Sequence, residues 1–146
     1  MDGIIFDVDG TLWDSVEVVA ESWNLAIKEN SDLDPNLNRE ILQGLFGKTM
    51  DEIAAGVFPD LDTDSRRKLM DICFDYENRY LETHPGVYYE GVMDTLKELA
   101  LEYPLFIVSN CQCGYIEVMM KGAGMEPYIK DFLCFGQTQT SKDQTI

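Results

Sequence analysis

The stretch Ile5-Phe6-Asp7-Val8-Asp9-Gly10-Thr11-Leu12 sets two carboxylates two residues apart, directly after an apolar run. If the run is a strand, alternate side chains share a face, so Asp7 and Asp9 point to the same side at its C-terminal end. Open α/β sheets hold their ligands at that edge. Gly10 allows a sharp turn there, and Thr11 adds a hydroxyl. Converging carboxylates suit a divalent cation. An isolated Asp-x-Asp also describes a solvated turn leaving a strand, so the longer string has to carry the reading.

That string, DxDGT-L after an apolar run, resembles the signature of the haloacid dehalogenase-like hydrolases, on their phosphatase branch. The resemblance implies that Asp7 is the nucleophile that forms an aspartyl-phosphate, and that Asp9 is the general acid and base. It also implies Mg²⁺, held by Asp7 and by the backbone carbonyl of Asp9. A carboxylate approaching a phosphate dianion meets like charge, which a cation relieves. The second aspartate favours phosphoryl transfer over dehalogenation, because the dehalogenase branch lacks it. Ser109-Asn110 matches the family position where a hydroxyl binds phosphoryl oxygens, and Lys142 matches the lysine that neutralises nucleophile and phosphate. Asp143 stands where the family usually has proline after that lysine. Thr11, Ser109, Asn110 and Lys48 are therefore the expected phosphate and substrate contacts, and Asp7 and Asp9 the expected metal ligands. The family's fourth motif, a Gly-Asp pair with a further acid, is not reached before Ile146. The expectation is a C-terminally truncated family member.

The elements that position these residues follow from periodicity. Ile4–Phe6, 105–108 and 132–135 are continuous apolar runs, read as strands buried on both faces. Gly114 to Gly124 carries Tyr115, Val118, Met119 and Gly122 at helical spacing, and Val92, Leu96, Leu99 and Ala100 form a helix that must stop before Pro104. Strand and helix alternate as in a parallel α/β sheet. Between them the pattern is all-helical. Asp14 with Glu17 is set up to cap a first helix, Asp34-Pro35 to start a second that runs out at Gly44 or Gly47, and Thr49 with Glu52 to cap a third. A fourth carries Leu69, Ile72, Cys73, Tyr76 and Tyr80 on one stripe, with the two tyrosines read as cap core, and His84-Pro85-Gly86 breaks it. Ser141 and Gln144 have capping-box spacing for a last helix.

The expected fold is thus α/β: a Rossmann-like three-layer parallel core of about three strands, with an all-helical cap inserted after strand one. The expected boundaries are residues 1–13 and 84–146 for the core and 14–83 for the cap, hinged at Trp13–Asp14 and at residues 84–89. The loop Phe46-Gly47-Lys48-Thr49 lies where the family reads its substrate, and His84 reads as a hinge or capping residue.

Bulk composition narrows the partners. With 146 residues, 27 acidic against 11 basic side chains and a net charge of −16, the chain repels phosphate backbones and anionic lipids. Neither nucleic acid nor a membrane surface is an expected partner. Cys73, Cys111, Cys113 and Cys134 lack disulfide-scaffold or zinc-site spacing and read as reduced thiols. MDGIIFDVDG has no basic leader, so the expected location is the cytoplasm.

Three functional readings remain open at this level. The first is Mg²⁺-dependent hydrolysis of a small phosphorylated metabolite, similar to that of phosphoglycolate phosphatases. The second is a phosphomutase of the β-phosphoglucomutase type, which shares the machinery. The third is an inactive fragment that binds metal or phosphate, or self-associates through an uncovered sheet edge.

Overall fold

The computed structural model describes residues 2–146. Its centre is a three-stranded parallel sheet in the order β1 (Ile4–Phe6), β4 (Leu105–Ser109), β5 (Asp131–Cys134). Ile4 pairs with Leu105 and Phe6 with Ile107 on one side of β4, and Ser109 pairs with Cys134 on the other. β4 is nearly all buried, as its unbroken Leu-Phe-Ile-Val run requires. β1 and β5 are not buried on both faces: Ile5 is 47% exposed and Leu133 40%. They flank β4, and among the described residues each pairs with one strand only. Phe135, expected to end β5, instead opens the short helix α7 (Phe135–Thr138).

Two helices cover the sheet. α5 (Val92–Ala100) ends well before Pro104, and α6 (Tyr115–Ala123) runs between Gly114 and Gly124, both in the left-handed region that glycine tolerates. Leu96, Ile116, Met119 and Leu105 pack with Val8, Leu12 and Trp13 in one apolar cluster.

A second cluster lies among four helices between β1 and β4: α1 (Val16–Asn30), α2 (Arg39–Gln43), α3 (Met50–Val57) and α4 (Thr63–Thr83). Trp23 and Ile27 of α1 meet Met70, Cys73 and Phe74 of α4 there. α4 is long enough to serve both clusters, because Leu81 near its end packs with the sheet side. The segments that join the two bodies pair with each other. β2 (Trp13–Asp14) and β3 (Val87–Tyr88) form a short antiparallel ladder, with Trp13 opposite Tyr88. Gly86 is needed there, since a Cβ would come within 2.8 Å of the Trp13 ring.

Several helix starts differ from expectation, each because a side chain has a better partner. α1 begins after Ser15, because Asp14 accepts from Val16 N while Arg39 takes Asp14 at 2.9 Å and Glu17 at 3.2 Å. α2 begins after Asn38, not at Asp34-Pro35. The Asn24 side chain both donates to Leu37 O and accepts from Leu37 N, holding that segment extended. Thr49 caps α3 as expected. On α4, Tyr76 packs at the edge of the second cluster, whereas Tyr80 lies outside it, stacked on His84 at 4.1 Å. Phe74 and Glu77 are buried instead. His84 is the C-cap of α4. All four cysteines are free thiols, with Cys134 Sγ 4.0 Å from Cys113 Sγ.

Because β4 carries the sheet, Ile107→Ala is expected to cost about 2–5 kcal/mol. Leu101→Ala, at an exposed position, should stay within about 0.5 kcal/mol. Urea denaturation of both variants checks the contrast.

Candidate active site

β1 ends at Phe6, and the chain leaves it through Asp7, Val8 and Asp9 into a turn closed by Gly10 N donating to Trp13 O and by Thr11 N donating to Val8 O. Val8 is fully buried, so the two aspartates on either side of it are directed towards the C-terminal edge of the sheet. Ser109 and Asn110 arrive there from β4, and α8 (Lys142–Thr145) arrives after β5.

Lys142 Nζ sits 3.0 Å from Asp7 Oδ2, so the two residues come together across 135 positions of sequence. The first turn of α8 is anchored from the core: Lys142 N donates to Asn110 Oδ1 at 2.7 Å. The Ser141–Gln144 capping box does not form, because Ser141 Oγ donates to Asp143. Asn110 Nδ2 also donates to Gly47 O at 2.8 Å. One amide therefore fixes both the lysine-bearing helix and the loop between α2 and α3.

Asp9 is enclosed far more deeply than its modest surface exposure suggests. Burial is the largest cause that raises its pKa, to about 6, and the Asp7 charge adds to it. The Tyr115 O–H opposes this by donating to Asp9 Oδ1. Tyr115 in turn accepts from Trp13 Nε1 at 3.2 Å and meets Ser15 Oγ at 2.8 Å. Burial, with the nearby Asp9 and Glu77 charges, pushes the Tyr115 hydroxyl well up, so it remains a donor.

Asp9, Ser109, Asn110 and Tyr115 form the core wall of a small cavity of about 30 Å³ between sheet and helices. The facing wall includes Trp23, Phe46, Phe74 and Glu77. Glu77 is 3% exposed and accepts from Gln112 Nε2, which also donates to Asn78 Oδ1 at 2.9 Å. Burial, then the Asp9 charge, drives its pKa well above the usual carboxylate range.

Of the expected site residues, Asp7, Asp9, Ser109, Asn110 and Lys142 converge. Thr11 is exposed in the turn and does not line the cavity. Lys48 is exposed too, although its neighbours Phe46 and Gly47 reach the cavity wall. Tyr115, Glu77, Gln112 and Trp23 were not foreseen. One signal was present: Leu69, Cys73, Glu77 and Leu81 recur every fourth residue, and a carboxylate inside an apolar stripe marks a buried charge.

Among the described residues no group of three acidic, histidine or cysteine side chains is arranged to hold a metal. Asp7 and Asp9 nevertheless offer hard oxygen donors, and Mg²⁺ is held by one or two carboxylates with water and substrate phosphate completing its shell. The donor chemistry therefore fits that ion.

A family model described as haloacid dehalogenase-like hydrolase matches residues 4–146. The chain belongs to the haloacid dehalogenase-like hydrolase family. Solved structures agree on the fold. A predicted phosphoglycolate phosphatase from Haemophilus somnus 129PT superposes with a TM-score of 0.79 at 23% identity, over 94% of this chain and 63% of its own. A haloacid dehalogenase-like hydrolase from Streptococcus pneumoniae gives 0.72 at 20% identity, over 92% and 61%. YfnB from Bacillus subtilis, described as a HAD-hydrolase bound to magnesium with interdomain movement, gives 0.61 at 24% identity, over 94% and 66%. The chain thus spans less than two thirds of the length of these structures, and at such identities the likeness is one of fold. The comparison with curated proteins returns no match. No helix among the described residues is long and apolar enough to cross a membrane.

The buried Asp9 makes a stability prediction. Its folded-state pKa, about 6, lies above the ordinary 3.8, so folding takes up a proton in that window and stability falls as pH rises through it. Asp9→Asn removes the titration. In metal-free buffer its stability relative to the parent should grow from pH 4 to pH 7 by up to about 3 kcal/mol. Chemical denaturation across that range checks it, and a constant difference would contradict the assignment.

Proposed function

We propose that this chain carries the phosphoryl-transfer site of a Mg²⁺-dependent phosphomonoester hydrolase working through an aspartyl-phosphate. The observation that carries the reading is the pairing of Asp7 with Lys142 beside a second carboxylate, Asp9, whose pKa is lifted to about 6.

Each residue then has a distinct role. Asp7 attacks phosphorus, and the P–O bond to the substrate's alcohol breaks as the new bond forms. Lys142 offsets charge on the nucleophile and the incoming phosphate. Asp9 populates both protonation states near neutral pH, so it can donate a proton to the leaving oxygen and later accept one from water. Tyr115 holds the Asp9 carboxylate in place through its hydrogen bond. Ser109 offers its hydroxyl to a phosphoryl oxygen. Asn110, with both amide ends engaged by Gly47 and Lys142, positions the lysine and the loop. Bound Mg²⁺, held by Asp7 and Asp9, would supply charge neutralisation between carboxylate and phosphate. The 30 Å³ cavity is about a tenth of the smallest usual ligand site. Substrate admission therefore requires the helical body to swing, with the β2–β3 ladder as the connection that bends.

Hydrolysis of p-nitrophenyl phosphate and of an alkyl phosphate, with and without Mg²⁺, tests the assignment. Asp7→Asn should lose about 10³-fold or more on both substrates, together with any covalently trapped phosphoryl group. Asp9→Asn should lose about 10²–10⁴-fold on the alkyl ester and far less on the aryl ester, whose leaving group needs no acid. Equal losses on both would remove Asp9 from the acid role.

A further inference from the structure

The half of the cavity facing Asp9, Ser109, Asn110 and Tyr115 from the helical body has a composition of its own. Phe46, Met50, Ile53 and Phe74 make it apolar, and two polar groups, the Trp23 indole and the Glu77 carboxyl, interrupt them. No lysine, arginine or histidine among the described residues lines it. The arginines of the helical body are engaged elsewhere: Arg39 on Asp14 and Glu17, Arg66 on the Phe58 and Pro59 carbonyls, Arg67 on Asp51, and Arg79 on Asp75.

Trp23 is 1% exposed, and its Nε1 is the one buried side-chain nitrogen or oxygen among the described residues that lacks a hydrogen-bond partner. Glu77 is the acceptor nearest in effect, since the indole N–H partly offsets the rise that burial gives that carboxyl's pKa, but the contact falls short of hydrogen-bond geometry. An unmade hydrogen bond on a buried donor costs free energy, so such a donor marks a place for a ligand atom. Beside it stands a carboxyl whose other contact, Gln112 Nε2, takes one oxygen only. A donor and an acceptor side by side in an apolar wall complement a hydroxyl, which accepts and donates at one atom.

We infer that this half of the cavity selects phosphate esters of small uncharged alcohols carrying a further hydroxyl, which accepts from Trp23 Nε1 and donates to Glu77. The inference rests on the hydrolase reading above and names the substrate class for that site. A carboxylate-bearing ester is disfavoured, because its charge would be buried in an apolar wall without a cation. An ester with a bare alkyl group leaves Trp23 unpaired.

Three esters of nearly equal size test this: 2-hydroxyethyl phosphate, ethyl phosphate and carboxymethyl phosphate. Two readouts are taken with the full chain and Mg²⁺. One is kcat/KM for hydrolysis, and the other is the Trp23 indole N–H resonance in a titration, assigned by its loss in Trp23→Phe. The expected result is a preference for the hydroxyethyl ester of at least about tenfold over each of the others. The Trp23 signal should shift with that ester and not with the carboxymethyl one. In Trp23→Phe the preference over ethyl phosphate should fall towards one. Equal or better turnover or binding of the carboxymethyl ester overturns the inference. So does a Trp23 resonance that responds to none of the three, which would mean that resident water satisfies the indole. Hydrolysis without hydroxyl preference sinks the inference and leaves the hydrolase reading standing. A Trp23 response to the hydroxyethyl ester without hydrolysis of any ester does the reverse.

Discussion

The site depends on keeping one carboxylate, Asp9, in surroundings that oppose its charge. Burial raises its pKa, and the Tyr115 hydroxyl is the strongest influence that restrains the rise. That single hydroxyl joins four parts of the chain. It donates to the loop after β1, and it is met by Trp13 of β2 and by Ser15 at the start of α1, while its own ring belongs to the first turn of α6. The apolar packing of Trp13 against Tyr115, at 5.8 Å between ring centroids, excludes water from the same point. Polar groups in such a network hold one arrangement firmly, because any member left unpaired is penalised in a low dielectric.

Asn110 plays the corresponding part on the opposite side. Its amide fixes the α2–α3 loop through Gly47 and the start of α8 through Lys142 N. A residue that bonds both the helical body and the helix carrying Lys142 ties the placement of that lysine against Asp7 to the packing of the α2–α3 loop. The contact between Gln112 and Glu77, two residues further along, reinforces that docking from α4. The loop after β4 is therefore the core's grip on the helical body, as well as the source of the Ser109 hydroxyl.

The acidic cavity also has a stability consequence. Asp9 and Glu77 are both raised in pKa by burial, Asp9 further by the Asp7 charge and Glu77 by that of Asp9, with no cation of the helical body beside them. A fold optimised for stability alone would not retain such a pair, whereas one that handles protons and hydroxyls would. Lys142 pairs with Asp7 directly and lowers the Asp9 pKa only weakly.

Local signals were enough for the parallel sheet, the helical insertion, most helix ends and the Asp7–Asp9 pair, because strand hydrophobicity, Gly and Pro positions and the DxDGT string act over a few residues. Ser109, Asn110 and Lys142 were found through a resemblance in order along the chain, which carries no distances. Their convergence on Asp7 is a fact of sheet register. Where several acceptors compete for one donor, neighbours in sequence lose to partners brought by folding. Arg39 drew Asp14 and Glu17 from their capping box, Asn24 held Leu37 extended ahead of α2, and Asn110 took over the start of α8. The same reason hid the far wall of the cavity. Trp23, Glu77 and Tyr115 read as helix positions in sequence, and only packing shows that one lacks a partner, one is a buried acid and one holds Asp9, since burial and hydrogen-bond satisfaction are properties of the assembled core.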